Sequence, residues 1–253
     1  MKREDSKENS MMSTIRTIVS KENKTYKDLV RLRKGDGEKS LFLLEGEDLV
    51  EEARRGDALV ALLYPEGTKN IEESDLPIYV LKEGLYRELA SYHSLPPVMG
   101  IGKKELAKID QLGERVIYLD RIQDPGNAGT MIRTALSFSY SGLVLSPDSV
   151  SLYNTKCVQS SKGALFSLPI ARGELSTFNG LGYHIYLTTL DGEDESKIIE
   201  LQTPFVLVFG NEGQGVSKKN MGYGEKLRIE MSGIDSLNVA VAAGIFMYRF
   251  KRR

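Results

Sequence analysis

Along most of the chain apolar residues fall into short runs separated by polar turns. The runs at 41–45, 58–64, 116–119, 142–145, 184–187, 205–209 and 227–229 have the length and composition of strands. Residues 24–34 and about 46–54 instead repeat apolar positions every three or four residues, which predicts helices. From residue 116 onward strand and helix patterns alternate, and that order predicts an α/β domain with a mostly parallel sheet and crossover helices. The last stretch, 237–250, is apolar on most sides and reads as a buried or interface helix.

Ahead of that region the pattern predicts a smaller α/β module. Residues 1–13 are mostly polar and read as an unstructured tail, 14–105 as the front domain and 106–253 as the second. The turn-rich segment Ser94-Leu-Pro-Pro-Val-Met-Gly100 reads as a connection between the two.

Composition narrows the classes. With 253 residues, 41% hydrophobic and 27% charged, the chain is long enough for two domains and close to an average globular protein. Its single cysteine, Cys157, excludes an internal disulfide and a cysteine-rich zinc site. No apolar run reaches the ~18 residues of a membrane span, and the first ten residues are too charged for a signal sequence. A folded cytoplasmic protein is the expectation. The net charge of −1 does not advertise a nucleic-acid partner. Local charge says more: Lys24, Lys27, Arg31 and Lys34 share one face of the first predicted helix, a stripe that either tracks a phosphate backbone or is simply solvated. The terminal cations Arg249, Lys251, Arg252 and Arg253 are equally open to a helix-dipole explanation.

Three loops after predicted strands carry the candidate chemistry, since ligands of open α/β sheets bind beyond the carboxyl ends of strands. The first, 120–134, turns at Pro125-Gly126 and opens a helix, with Asn127 placed as its cap and Arg133 about a turn and a half further on. The second, Gly210-Asn-Glu-Gly-Gln-Gly215, is glycine-rich but lacks dinucleotide or phosphate-loop spacing, and Glu212 stands where a phosphate would be repelled. A cationic or hydroxyl-bearing ligand suits it better. The third, 229–238, brings Ser236 and Asn238 to the mouth of the apolar last helix; capping accounts for one of them and leaves the other to be explained.

Taken together, segments 124–135, 207–215 and 229–243 resemble, in this order, the three motifs of the SpoU (TrmH-like) family in the SPOUT class of RNA methyltransferases. The resemblance extends over about 116–248. It includes Ser161, Gly163-Ala164 and Leu168-Pro169, and departs from the family at Thr155 and Gln159, where proline and arginine are frequent. The run Phe42-Leu-Leu-Glu-Gly46 followed by a helix is similar to the substrate-binding domain of many relatives.

The resemblance implies a parallel sheet whose chain forms a deep trefoil knot, S-adenosylmethionine held there mainly by backbone groups, a homodimer, and an RNA ribose 2′-hydroxyl as acceptor. Ribosomal RNA is favoured over transfer RNA. It further implies donor contacts at Leu190, Gly210, Gly215, Ile229, Met231 and Leu237, and a polar catalytic group of Asn127, Arg133, Glu212, Ser236 and Asn238. A guanidinium stays protonated, so Arg133 is expected to anchor a phosphate and orient the hydroxyl, with Glu212 taking or relaying its proton. His93 and His184 fall in no motif, and the transfer calls for no metal. A base methyltransferase of the same class, an inactive RNA-binding paralogue and a nucleotide-binding oxidoreductase are the rival readings; the glycine spacing argues against the last.

Overall fold

The computed structural model describes residues 15–34, 38–71, 73–91, 94–233 and 236–251. The expected tail 1–13, His93, Arg252 and Arg253 lie outside the described residues. The chain divides into two compact units, Met1–Lys104 and Glu105–Arg253.

In the first unit the elements are β1 (Ile15–Ile18), α1 (Lys24–Lys34), β2 (Leu41–Glu45), α2 (Glu47–Arg55), β3 (Leu59–Pro65), β4 (Ile78–Leu81), α3 (Glu83–Leu89) and β5 (Met99–Lys103). The strands form one mixed sheet in the order β1-β4-β3-β5-β2, parallel from β1 to β3 and antiparallel on both sides of β5. Tyr26 and Leu29 of α1 pack with Leu63, Leu81, Tyr86, Leu89 and Met99 in its core. The segment read as a connection is therefore corrected: Met99 and Gly100 begin a central strand. Sterics explain why it hides. A Cβ on Gly100 would lie 2.8 Å from Leu59 Cδ1, and one on Gly102 2.8 Å from Phe42 Cε1, so this strand is glycine where neighbours crowd its face and looks like a turn.

The second unit comprises β6 (Arg115–Asp120), α4 (Pro125–Ser137), β7 (Gly142–Leu145), α5 (Thr155–Ser161), β8 (Ile170–Arg172), β9 (His184–Asp194), β10 (Phe205–Gly210), β11 (Glu225–Arg228) and α6 (Val239–Arg249). Its six strands lie in the order β11-β9-β10-β6-β7-β8 and every pairing is parallel, as the alternation of strands and helices predicts. Val116, Tyr118, Val144, Val206 and Val208, all at alternate strand positions, bury one face with Leu175 and Phe178. On the other face Phe209 packs against Phe246 of α6, ring centroids 6.1 Å apart. Helix α4 approaches α5 so closely that a Cβ on Gly129 would lie 2.4 Å from the Cys157 carbonyl oxygen.

What positions the site is the centre of this sheet. The chain steps outward from β6 through β7 to β8, then returns to lay β10 on the other side of β6, which makes a topological switch point between them. Their register pairs Gly210 with Asp120, so the loops leaving the two strands start side by side.

Candidate active site

The loop after β10 is a tight closed turn. Asn211 and Gly215 form an antiparallel bridge, with Asn211 N donating to Gly215 O at 3.0 Å and Gly215 N to Asn211 O at 2.9 Å. The Asn211 side chain accepts from Gly213 N at 3.0 Å and Gln214 N at 3.1 Å. Gly210 has no alternative: a Cβ there would lie 2.1 Å from both Gly215 C and Val216 N, inside the returning backbone. Gly215 adopts φ +66°, the left-handed region where glycine carries no steric penalty.

The loop after β6 is stitched to this turn. Glu212 accepts from Asp124 N at 3.2 Å, Gln123 N at 3.4 Å, Asn127 Nδ2 at 3.2 Å and Asn211 Nδ2 at 3.3 Å. Burial pushes this carboxyl towards protonation, yet the donors around it outweigh burial, and its pKa lies below the ordinary glutamate value. Glu212 is thus an ionised carboxylate at neutral pH.

One expected capping assignment is corrected. Asp124, not Asn127, caps α4: its Oδ1 accepts Asn127 N at 2.9 Å, and Pro125 follows at the first helical position, where a missing N–H costs nothing. Lys156 holds the other oxygen of Asp124 at 2.7 Å, and its ammonium draws that carboxyl's pKa down further. The Asn127 side chain is thereby free for other work. At α6 the helix begins at Val239, and of Ser236 and Asn238 it is Asn238 that caps it, accepting Ala240 N at 2.9 Å and Val241 N at 3.3 Å. Its Nδ2 then donates to Asn127 Oδ1 at 3.3 Å. A run of side-chain hydrogen bonds, Asn238 to Asn127 to Glu212, so joins all three loops and orients both carboxamides.

Beside this run lies a cleft of about 470 Å³, in the size range of small-molecule sites. All six residues expected to contact a donor line it: Leu190, Gly210, Gly215, Ile229, Met231 and Leu237. Glu212 and Ser236 of the expected catalytic group line it too. Asn127, Asn238 and Arg133 are not part of the lining; Asn127 is bonded to the lining residue Glu212, and Asn238 to Asn127. Arg133 is exposed on α4, and among the described residues its guanidinium has no hydrogen-bond or ion-pair partner. The cleft lining described carries two carboxylates, Asp191 and Glu212, and no cation. In the first unit Lys24, Lys27, Arg31 and Lys34 all lie exposed on one side of α1, Lys27 paired with Glu22 and Arg31 with Asp28 at 3.4 Å.

Sequence reasoning missed several participants. Thr188, Thr189, Val239, Ala242 and Phe246 also line the cleft. Asp120 is buried and accepts Ser217 N at 2.6 Å, and Asn211 ties the turn to Arg121 O at 2.9 Å. An acid ending an otherwise apolar strand was the available signal for Asp120. Cys157 is no nucleophile: burial pushes its thiol up to about 12.

A family model described as the SpoU rRNA Methylase family matches residues 114–248. The chain is 30% identical to a 23S rRNA (guanosine(2553)-2′-O)-methyltransferase of Bacillus subtilis, over 94% of this chain and 100% of that protein. It is also 30% identical to a 23S rRNA (uridine(2479)-2′-O)-methyltransferase of Streptomyces viridochromogenes, over 67% of this chain and 65% of that protein. Among solved structures, an AdoMet-bound rRNA methyltransferase from Sinorhizobium meliloti superposes with a TM-score of 0.81 at 28% identity, covering 93% of this chain and 97% of that one.

Proposed function

The chain belongs to the SpoU rRNA methylase family, and on that footing we propose that it transfers a methyl group from S-adenosylmethionine to a ribose 2′-hydroxyl of RNA, ribosomal RNA before transfer RNA. The observation that carries this reading is the hydrogen-bonded run Asn238–Asn127–Glu212 standing at the edge of the cleft. The cleft fits the donor. Its wall of Leu190, Ile229, Met231 and Leu237 offers apolar surface to an adenosine, the 210–216 backbone offers amides and carbonyls, and its two carboxylates suit a cation rather than a phosphate.

S-adenosylmethionine supplies an activated methyl on a sulfonium; the protein's task is to present the hydroxyl in line with it, and alignment alone lowers such barriers substantially. Arg133 is the proposed anchor of the target phosphate, a role that an exposed guanidinium with no partner among the described residues is free to take. Asn127, Asn238 and Ser236 fix the geometry around the ribose. In the transfer the hydroxyl oxygen would bond to the methyl carbon as the carbon–sulfur bond breaks and its electron pair returns to sulfur, and the hydroxyl would lose its proton. Glu212 is the proposed acceptor of that proton, and its lowered pKa would make it pass the proton on to water rather than hold it.

The first unit is the proposed RNA-binding domain, with Lys24, Lys27, Arg31 and Lys34 as its phosphate-tracking stripe. A homodimer completes the proposal, supported by α6 itself. One side of that helix lines the cleft through Val239, Ala242 and Phe246, another is buried in the core, and Val241, Ile245 and Tyr248 stand exposed at helical spacing. An apolar stripe of this kind calls for a partner surface. The deep trefoil knot belongs to the same proposal; its support is that Thr188, Thr189, Leu190 and Asp191 of β9, the 210–216 turn, and Ile229, Met231, Ser236 and Leu237 line one cleft.

Labelled methyl transfer from S-adenosylmethionine to ribosomal and transfer RNA of a strain lacking the protein, followed by nucleoside analysis, tests the reading. A labelled 2′-O-methyl nucleoside in ribosomal RNA is expected. A labelled base, or no binding of the donor, would overturn it.

A further inference from the structure

Arg121 was singled out neither by the motifs nor by the reaction, yet it is the residue most entangled with the donor-side turn. It follows the last residue of β6 and has φ +60°, a left-handed conformation that a residue with a Cβ adopts only under constraint. That backbone geometry has two effects. The Arg121 carbonyl accepts Asn211 Nδ2 at 2.9 Å, and the side chain is aimed across the neighbouring strand rather than along its own. There the guanidinium donates from Nη1 to Gln214 Oε1 at 2.9 Å and from Nη2 to the Gly215 carbonyl at 3.4 Å, while Nε faces the buried Asp120 carboxylate at 3.7 Å. Asp120 in turn holds Ser217 N at 2.6 Å. One planar, permanently charged group therefore bridges two consecutive residues that line the cleft, Gln214 and Gly215, and is itself outside the lining.

We propose that Arg121 is a positioning residue: it clamps the 211–217 turn onto the end of β6 and so sets the affinity for the methyl donor without touching it. The inference takes the identity of the donor from the proposed function. The physical ground is preorganisation. The turn offers backbone groups to its ligand, and a turn already held in the binding conformation loses less freedom when the ligand arrives. Glu212 fastens the same turn to residues 123–127, but from the side of the catalytic carboxamides; Arg121 grips its far half from outside the turn, at 214–215.

Arg121→Gly isolates the guanidinium, because the carbonyl that accepts Asn211 survives in it. Glycine also relieves the left-handed strain, and this offsets its greater freedom in the unfolded chain, so global stability should stay near wild type. The expected result has three parts. In the free protein, exchange of the Gly215 amide, which is bonded to Asn211 O, accelerates by about tenfold or more. The calorimetric Kd for S-adenosylmethionine rises by about 10- to 100-fold, the effect of removing a charge-assisted hydrogen bond. At saturating donor kcat stays within about threefold of wild type, because the hydroxyl-orienting residues are untouched. Arg121→Lys, which keeps the charge but reaches one acceptor at a time, should fall between the two. Unchanged exchange in Arg121→Gly overturns the clamp, and faster exchange with unchanged affinity overturns its role in donor binding. A large loss of thermal stability overturns the positioning role in favour of a general scaffold one. A wild-type protein that binds no donor would instead sink the functional reading, and the exchange measurement would still decide the clamp.

Discussion

Asn238 Nδ2 donates to Asn127 Oδ1 at 3.3 Å, joining two carboxamides separated by 111 residues of chain. The same Asn238 caps α6 through its oxygen. Cap and carboxamide bond therefore use opposite ends of one side chain and can be separated. Asn238→Asp keeps an acceptor for the helix amides and adds a charge favourable at a helix N-terminus. It cannot donate to Asn127. Thermal unfolding should be within a few degrees of wild type, whereas single-turnover methyl transfer should fall at least about tenfold, the cost of a misoriented carboxamide. Full activity in this variant would remove the run from the mechanism.

Glu212→Gln should weaken the protein in a pH-dependent way. The folded carboxyl has a pKa below its unfolded value, so its contribution is present above the unfolded pKa of about 4.3 and is lost as pH falls through the lowered folded value. Urea midpoints of wild type and variant should differ near neutral pH and converge as pH falls through the lowered folded value. A gap that stays constant across this range would mean that the charge contributes nothing.

Glycines in the turn should differ sharply in tolerance. A Cβ at Gly210 meets backbone at 2.1 Å, whereas at Gly213 the nearest atom is Asn211 Oδ1 at 3.8 Å. Gly210→Ala should abolish donor binding in calorimetry, and Gly213→Ala should leave it within about threefold, since an exposed loop with room absorbs a methyl readily.

Arg133→Ala should reduce transfer by two orders of magnitude or more, about the effect of removing a group that positions the reacting centre. Donor affinity and unfolding temperature should be unaffected, because the guanidinium has no partner among the described residues and does not line the cleft. Arg133→Lys should rescue little if the guanidinium grips phosphate in a bidentate fork.

The stripe on α1 is tested by salt. Lys24→Glu with Lys27→Glu should weaken RNA binding and lower the slope of log affinity against log salt by roughly two, about one unit for each phosphate left without its lysine. The ion pair of Lys27 with Glu22 is solvent-exposed and should not oppose this. An unchanged slope would return the stripe to a solvated helix face.

Much of this site is legible in the sequence, because most of its residues lie in three short motifs whose spacing is local. Five of the six donor-side positions, Gly210, Gly215, Ile229, Met231 and Leu237, fall in those motifs, Leu190 lies outside them, and all six line one cleft. The caps do not, because Asp, Asn and Ser compete for the same role, and only geometry shows that Asp124 takes the one at α4 and Asn238 the one at α6. Strand β5 escapes the pattern for a different reason: two of its five residues are glycine, required by crowding from Leu59 and Phe42 that no periodicity reveals.

The alternation of strands and helices from residue 116 onward, the apolar last helix and the candidate chemical groups are properties of residue type and local spacing, and the sequence alone determined them. The parallel pairing of β6 with β10, the register that sets Gly210 beside Asp120, and the meeting of Asn238, Asn127 and Glu212 were decided only in three dimensions. Arg121 shows the division most clearly. Nothing in its neighbours along the chain marks it, because both acceptors of its guanidinium lie more than ninety residues away, brought within reach by the pairing of two central strands.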